Sequence, residues 1–219
     1  DGDMDYLLGN YGLNMKFKAS EQKPFNMYVS DLDNNGRTDV ILEWFTSEDS
    51  KPYPFASKQD LTSQMPFLKK KALKYQEFAK MQITDLFESE KLKSAIKGNV
   101  TNFSSSILLN DKGNLNLISL PLEAQLSPIF TFSVIDFDKD GIKDFYAGGN
   151  FYKLKPEVGR HDGNHGGYFK GIGNGKFKYV LPLKSGLNTE GEIRDSKIFK
   201  DNLLIARNNG SMLAYKFNH

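Results

Sequence analysis

Asp136-Phe137-Asp138-Lys139-Asp140-Gly141-Ile142-Lys143-Asp144 decides the reading of this chain, because Asp31-Leu32-Asp33-Asn34-Asn35-Gly36-Arg37-Thr38-Asp39 has the same pattern 105 residues earlier. Oxygen-bearing side chains at positions 1, 3 and 5 of a tight loop can converge on one point. Glycine at position 6 permits the sharp bend, and an acid at position 9 closes the cage. A hard cation that takes about 6–8 oxygen ligands, calcium before magnesium, fits this chemistry. The expected ligands are Asp31, Asp33, Asn35 and Asp39 with the Arg37 carbonyl, and Asp136, Asp138, Asp140 and Asp144 with the Ile142 carbonyl. Four carboxylates against three predict tighter binding at the second loop. The chain opens with Asp1-Gly2-Asp3-Met4-Asp5, the back half of the same unit, which adds Asp1 and Asp5 to the candidate ligands.

Apolar, β-type runs follow each loop, at 6–8, 40–44 and 145–147, which excludes a helix-loop-helix cation site. Two of these runs close with Gly-Asn, at Gly9-Asn10 and Gly149-Asn150. A second phrase also recurs: Gly113-Asn114 leads to Leu120-Pro121-Leu122 as Gly173-Asn174 leads to Leu181-Pro182-Leu183, an offset of 60 or 61 residues. Carried on, that offset sets Asp136 near Asp195 and makes 191–209 a further strand pair whose loop has lost its acids. Further strands are expected at 25–30, 39–45, 107–109, 129–135, 176–180 and 203–207.

The glycines mark the exception. All 19 lie in 1–36 and 98–219. Within the glycine-free stretch, Ser57-x-x-Asp60 resembles a capping box, and Pro66 suits the first turn of a following helix. Leu68, Ala72, Tyr75, Ala79, Leu86, Leu92 and Ile96 recur at helical spacing, with Gly98 as a C-terminal stop. Residues 55–98 therefore read as a helical insertion in an otherwise mainly β chain.

Composition narrows the function. Twenty-nine basic side chains against 27 acidic ones leave +2, too even for a nucleic-acid binder. No apolar run reaches the roughly 18–20 residues of a membrane span, so no direct membrane insertion is expected. The absence of cysteine excludes disulfides, thiolate metal sites and a cysteine nucleophile. No serine elbow, phosphate-binding glycine loop or zinc signature is present, so nothing here argues for catalysis.

Acidic loops of this form, repeated about every 60 residues and leading into Gly-Asn-terminated strands, resemble FG-GAP (VCBS) repeats, the calcium-binding blades of integrin-α-type β-propellers. The resemblance rests on the two full loops, on Tyr6-Leu7-Leu8-Gly9-Asn10 and Phe145-Tyr146-Ala147-Gly148-Gly149-Asn150, and on the phrases around Gly113-Asn114 and Gly173-Asn174. Leu120-Pro121-Leu122-Glu123-Ala124-Gln125 and Pro156-Glu157-x-Gly159-Arg160-x-Asp162 further resemble the C-terminal part of large bacterial cell-surface proteins of that family. The Phe-Gly and Gly-Ala-Pro phrases that name the family are absent as such. The resemblance implies a partial propeller of about three blades, spanning 1–219 and interrupted at 55–98. Propellers usually close with 4–8 blades, so a piece of a longer protein is expected.

The resulting expectation is a calcium-stabilised extracellular, cell-surface or periplasmic adhesion module that binds a glycan or protein and does no chemistry. The alternative is a propeller-fold polysaccharide-processing enzyme whose calcium holds an acidic sugar. Arg160 and Asp162 are candidate ligand contacts, in a glycine-rich loop that also carries His161 and His165; its glycines argue against a helical two-histidine metal site. Lys69-Lys70-Lys71 with Lys74 reads as a solvated helix face. Trp44, Tyr53 and Phe55 could form a sugar platform, although burial of Trp44 is the better expectation.

Overall fold

The computed structural model describes residues 2–46 and 49–217. Among them the chain is mainly β, with 14 strands in four antiparallel sheets and a few short helices. It divides into two compact units, one Phe17–Asn102 and the other Asp1–Lys16 with Phe103–His219. The helices of 58–94 fall within the segment expected to be helical, and the unit that contains them runs wider on both sides.

The chain begins with β1 (Tyr6–Leu8) and then enters the Phe17–Asn102 unit. There β2 (Phe25–Ser30), β3 (Asp39–Phe45) and β4 (Pro52–Pro54) precede five short helices. These are α1 (Lys58–Gln64), α2 (Leu68–Lys71), α3 (Tyr75–Phe78), α4 (Ile83–Leu86) and α5 (Ser89–Ser94). β5 (Ile96–Val100) completes a sheet in the order β4-β3-β2-β5. Along β3, Asp39, Ile41 and Glu43 are buried while Val40 is exposed, the period-two pattern of a half-covered strand. Ile41 and Leu32 pack against the helical residues Leu61, Met65, Leu68, Ile83, Leu86 and Leu92 in one core. The Ser57 hydroxyl accepts the Asp60 amide at 3.1 Å and caps α1 as its spacing predicts.

Three details of the helical reading change. Gly98 stops no helix. The last helix ends at Ser94, and Gly98 pairs with Met27 inside β5. Ile96 and Tyr75, expected on buried helix faces, are 73% and 67% exposed. Pro66 lies in the turn ahead of α2, where its carbonyl accepts the Lys69 amide.

The other unit holds three sheets. β1 pairs with β6 (Ser106–Asp111), which pairs with β7 (Asn114–Ser119). β8 (Ile129–Ile135), β9 (Asp144–Gly149), β10 (Gly167–Gly171) and β11 (Phe177–Val180) form a four-stranded meander. After α6 (Pro182–Ser185), β12 (Glu192–Phe199), β13 (Asn202–Asn208) and β14 (Leu213–Lys216) form the third sheet. β9 is buried along its whole length, and its alternation divides two cores. Phe145 and Ala147 join Ile107, Ile129 and Phe169, whereas Tyr146 joins Ile193, Leu203 and Ile205. Phe145 stacks on Phe169 with ring centroids 4.7 Å apart. At the end of β9 a Cβ on Gly149 would lie 1.6 Å from the Pro128 carbonyl oxygen, so only glycine allows this close approach. A hydroxyl seam joins β8 to β12: the Ser196 hydroxyl bonds Thr131 at 3.0 Å and Ser133 at 2.8 Å, which satisfies all three buried groups.

The strand pair expected at 191–209 is present as β12 and β13. Its connection is a two-residue turn at Lys200-Asp201, and Asp195 lies inside β12 rather than in a loop. A two-residue turn leaves no room for the acid cluster of the nine-residue loops.

Candidate metal centres

Each nine-residue loop joins two antiparallel neighbours, β2 to β3 and β8 to β9. Position 1 does the same work in both. Asp31 accepts the amides of Asn35 (3.0 Å) and Gly36 (2.9 Å), and Asp136 accepts those of Asp140 (3.1 Å) and Gly141 (2.9 Å). Position 3 accepts the position-5 amide, at 3.2 Å for Asp33 and 3.3 Å for Asp138. Position 5 accepts the position-7 amide, from Arg37 to Asn35 and from Ile142 to Asp140. The turn also requires left-handed backbone at positions 4 and 6: φ is 60° at Asn34 and 81° at Gly36, 59° at Lys139 and 89° at Gly141. Asparagine tolerates that region and glycine prefers it.

Position 9 is the anchor. Asp39 and Asp144 are buried at the first residue of their strands. Asp39 accepts the Leu32 amide at 3.0 Å and the Gln64 amide side chain of α1 at 2.7 Å. Asp144 accepts the amides of Phe137 (2.9 Å) and Gly171 (2.8 Å) and the Tyr168 hydroxyl (2.9 Å). Burial, reinforced by that bond to Asp144, pushes the Tyr168 phenol well above its usual range.

Carboxylate oxygens of Asp31, Asp33 and Asp39 lie within 4.8 Å of one another, as do those of Asp136, Asp138 and Asp144. Such an all-oxygen set suits a hard cation. Asn35 and Asp140 are turned toward backbone amides, and Arg37 and Ile142 enter the described hydrogen bonds through their N–H groups. Asp1 lies outside the described residues. Asp5, which is exposed, accepts the Asn110 amide at 2.9 Å, as Asp144 accepts that of Gly171, and so repeats one bond of position 9.

The neighbouring cations differ. Lys170, on β10, bonds to Asp138 and reaches Asp140 at 2.9 Å. That pairing lowers the Asp140 pKa and raises the Lys170 pKa. In the first loop the Asp31 carboxyl is held below its usual range chiefly by the Gly36 amide, with a smaller contribution from Lys91. Lys91 itself donates to the Leu32 carbonyl at 2.7 Å. Lys170, Tyr168, Lys91 and Gln64 cannot be assigned to these loops from spacing, because they arrive from β10, α5 and α1.

Arg160 pairs with Asp162 at 3.1 Å, both exposed, and its guanidinium lies 3.7 Å from the Tyr152 ring centroid. His161 is buried edge-on against Tyr11, and that burial lowers its pKa, while His165 is exposed. Trp44 is half-buried, edge-on to Phe17, which in turn packs on Phe55. Lys69, Lys70, Lys71 and Lys74 are all exposed. Glu192, which no motif flags, is buried and accepts from the Tyr152 amide, Arg194 and Asn208, a set that leaves it structural. No helix is long and apolar enough to cross a membrane among the described residues. Comparison with protein-family models, curated proteins and solved structures finds no match to this chain.

Proposed function

We propose that this chain is part of a calcium-stabilised β-propeller of the FG-GAP type that acts outside the cytoplasm as a binding or adhesion module without catalysis. The observation that carries the reading is the convergence of three carboxylates in each of two loops built on the same hydrogen-bond pattern. Asp31, Asp33 and Asp39 would hold one ion, and Asp136, Asp138 and Asp144 the other. Bound calcium supplies positive charge to crowded carboxylates and adds its binding energy to folding. The four-stranded meander β8–β11, with an acidic loop between its first two strands, supports the blade reading. Extracellular modules use calcium loops of about 10⁻⁴–10⁻³ M affinity, which supports placement where calcium is plentiful. The acidic residues of the two loops are committed to holding the turns, which supports a structural rather than a proton-transfer role.

The test is thermal melting of the intact chain in calcium, in magnesium and in chelator. Calcium at a hundred times its Kd should stabilise by about 2.7 kcal/mol per site, with magnesium weaker. A melt indifferent to all three overturns the reading, as does an unchanged melt in calcium for the Asp136→Asn/Asp138→Asn variant.

A further inference from the structure

A cavity of about 540 Å³ lies beside the second acidic loop, within the unit that carries it. This is inside the roughly 300–1,000 Å³ range of small-molecule sites. One wall is aromatic: Phe137, Tyr168, Tyr215 and Phe217. These rings are fixed. Phe137 packs edge-on to Tyr168 at 5.2 Å and to Phe217 at 4.9 Å. The two phenols are tied down as well, Tyr168 to Asp144 and Tyr215 to the Asn188 carbonyl, each at 2.9 Å. The lining also includes the end of α6, Lys184-Ser185-Gly186, and Lys216 of β14. Lys184 and Lys216 are exposed and enter no ion pair among the described residues. Among the described residues Asp138 is the single carboxylate on the lining, and Lys170 already pairs with it. The cavity therefore offers rigid amphipathic rings and surplus positive charge.

We infer that this cavity binds a sugar carrying a carboxylate or sulfate group. A pyranose ring presents C–H surface to aromatic side chains and hydroxyls to polar groups, and rings held in one rotamer lose little entropy on contact. Its anionic group meets Lys184 and Lys216, which act as point charges rather than as bidentate partners. A neutral sugar leaves both ammonium groups unused. This names the ligand class within the binding-module reading above and rests on that reading for its biological sense; of the residues lining the cavity, Asp138 belongs to the proposed calcium site, whereas Lys184 and Lys216 do not.

The experiment is calorimetric titration of the intact chain with a tetragalacturonate, a sulfated heparin tetrasaccharide and neutral maltotetraose, in calcium and again in chelator. Anionic sugars are expected to bind and the neutral one not to. The Lys184→Glu/Lys216→Glu variant should weaken binding at least tenfold, while Lys178→Glu/Lys197→Glu, on exposed sites elsewhere in the same unit, should not. Preference between uronate and sulfate identifies the anionic group. Equal binding of maltotetraose, no binding of either anionic sugar in both buffers, or undiminished binding by Lys184→Glu/Lys216→Glu overturns the assignment. Failure of the calcium reading registers separately, as a melt that calcium does not move.

Discussion

The loops 31–39 and 136–144 share backbone hydrogen bonds almost atom for atom, yet they balance their charge in different ways. The first has three carboxylates at its loop positions and an asparagine at position 5. The second has four, and Lys170 reaches two of them. Counted by carboxylates alone, that pairing brings the second loop from four uncompensated negative charges to three, the number in the first. The lesson is that a ligand count read along the chain overstates the difference between sites when a neighbouring strand supplies a counter-charge. The third strand pair, β12 and β13, dispenses with the problem: its two-residue turn carries no carboxylate cluster.

The largest expected effect tests the shared anchor. Asp144→Ala would orphan the Phe137 and Gly171 amides and the Tyr168 hydroxyl in a buried site. At about 1–3 kcal/mol for each unsatisfied group, partly relieved by water, a loss of about 4 kcal/mol is expected in denaturant unfolding. Asp39→Ala strands only the Leu32 amide and the Gln64 side chain, so about 2 kcal/mol is expected. Equal losses would break the comparison.

Next comes Lys170→Met. Removing the ammonium from Asp138 and Asp140 should tighten calcium binding at the second loop by roughly fivefold, the modest scale of an exposed pair. Calorimetry on wild type and variant would sharpen or erase the near-equality of the two loops. Gly36→Ala and Gly141→Ala should each cost about 1 kcal/mol from left-handed backbone alone, since no atom lies within 4 Å of either Cβ position. A difference between these two variants would mean that the turns are less alike than their hydrogen bonds.

The smallest effect is in the titration. The Asp31 and Asp140 carboxyls are both depressed below the ordinary 3.8, Asp31 chiefly by a backbone amide and Asp140 chiefly by Lys170. A depressed carboxyl stabilises the fold fully above its unfolded pKa, and that contribution is lost as pH falls through the folded value. Acid sensitivity from both should therefore appear below about pH 4. Carbon-detected NMR in low and high salt should move the Asp140 midpoint toward normal and leave Asp31 nearly fixed. Salt moving both alike would assign the two shifts to one cause.

Much of the strand pattern is legible in the sequence because short apolar runs end in Asn, Asp and Gly: β1, β2, β3 and β8 have the limits that those runs suggest. Other strands hide for identifiable reasons. Ile96 continues a helical spacing, and Gly98 imitates a helix stop, so β5 is masked. β10 carries glycine at both ends, at Gly167 and Gly171, and resembles the loop before it. β4, Pro-Tyr-Pro, is an edge strand, the one place where prolines pair readily. The pairing of β1 with β6 is also hidden, because it joins residues about 100 positions apart with no local signal. At the acidic loops the positions along the chain are plain, whereas the partners that tune them come from β10, α1 and α5 and depend on tertiary placement.

The junction near Phe103 bears on how the chain reaches its folded form. The Gly12 amide donates to the Phe103 carbonyl at 2.8 Å, and the Tyr11 and Phe103 rings lie 6.2 Å apart. Closing that neck over an unstructured stretch of about 90 residues carries a large entropy penalty, which grows with the logarithm of length. In the intervening unit Phe25 pairs with Val100, so once that unit has formed its own two ends are held close together. Order of events then matters. If 17–102 condenses first, the tether between β1 and β6 becomes effectively short, and the later sheet can assemble at the speed of a local hairpin rather than a distant encounter.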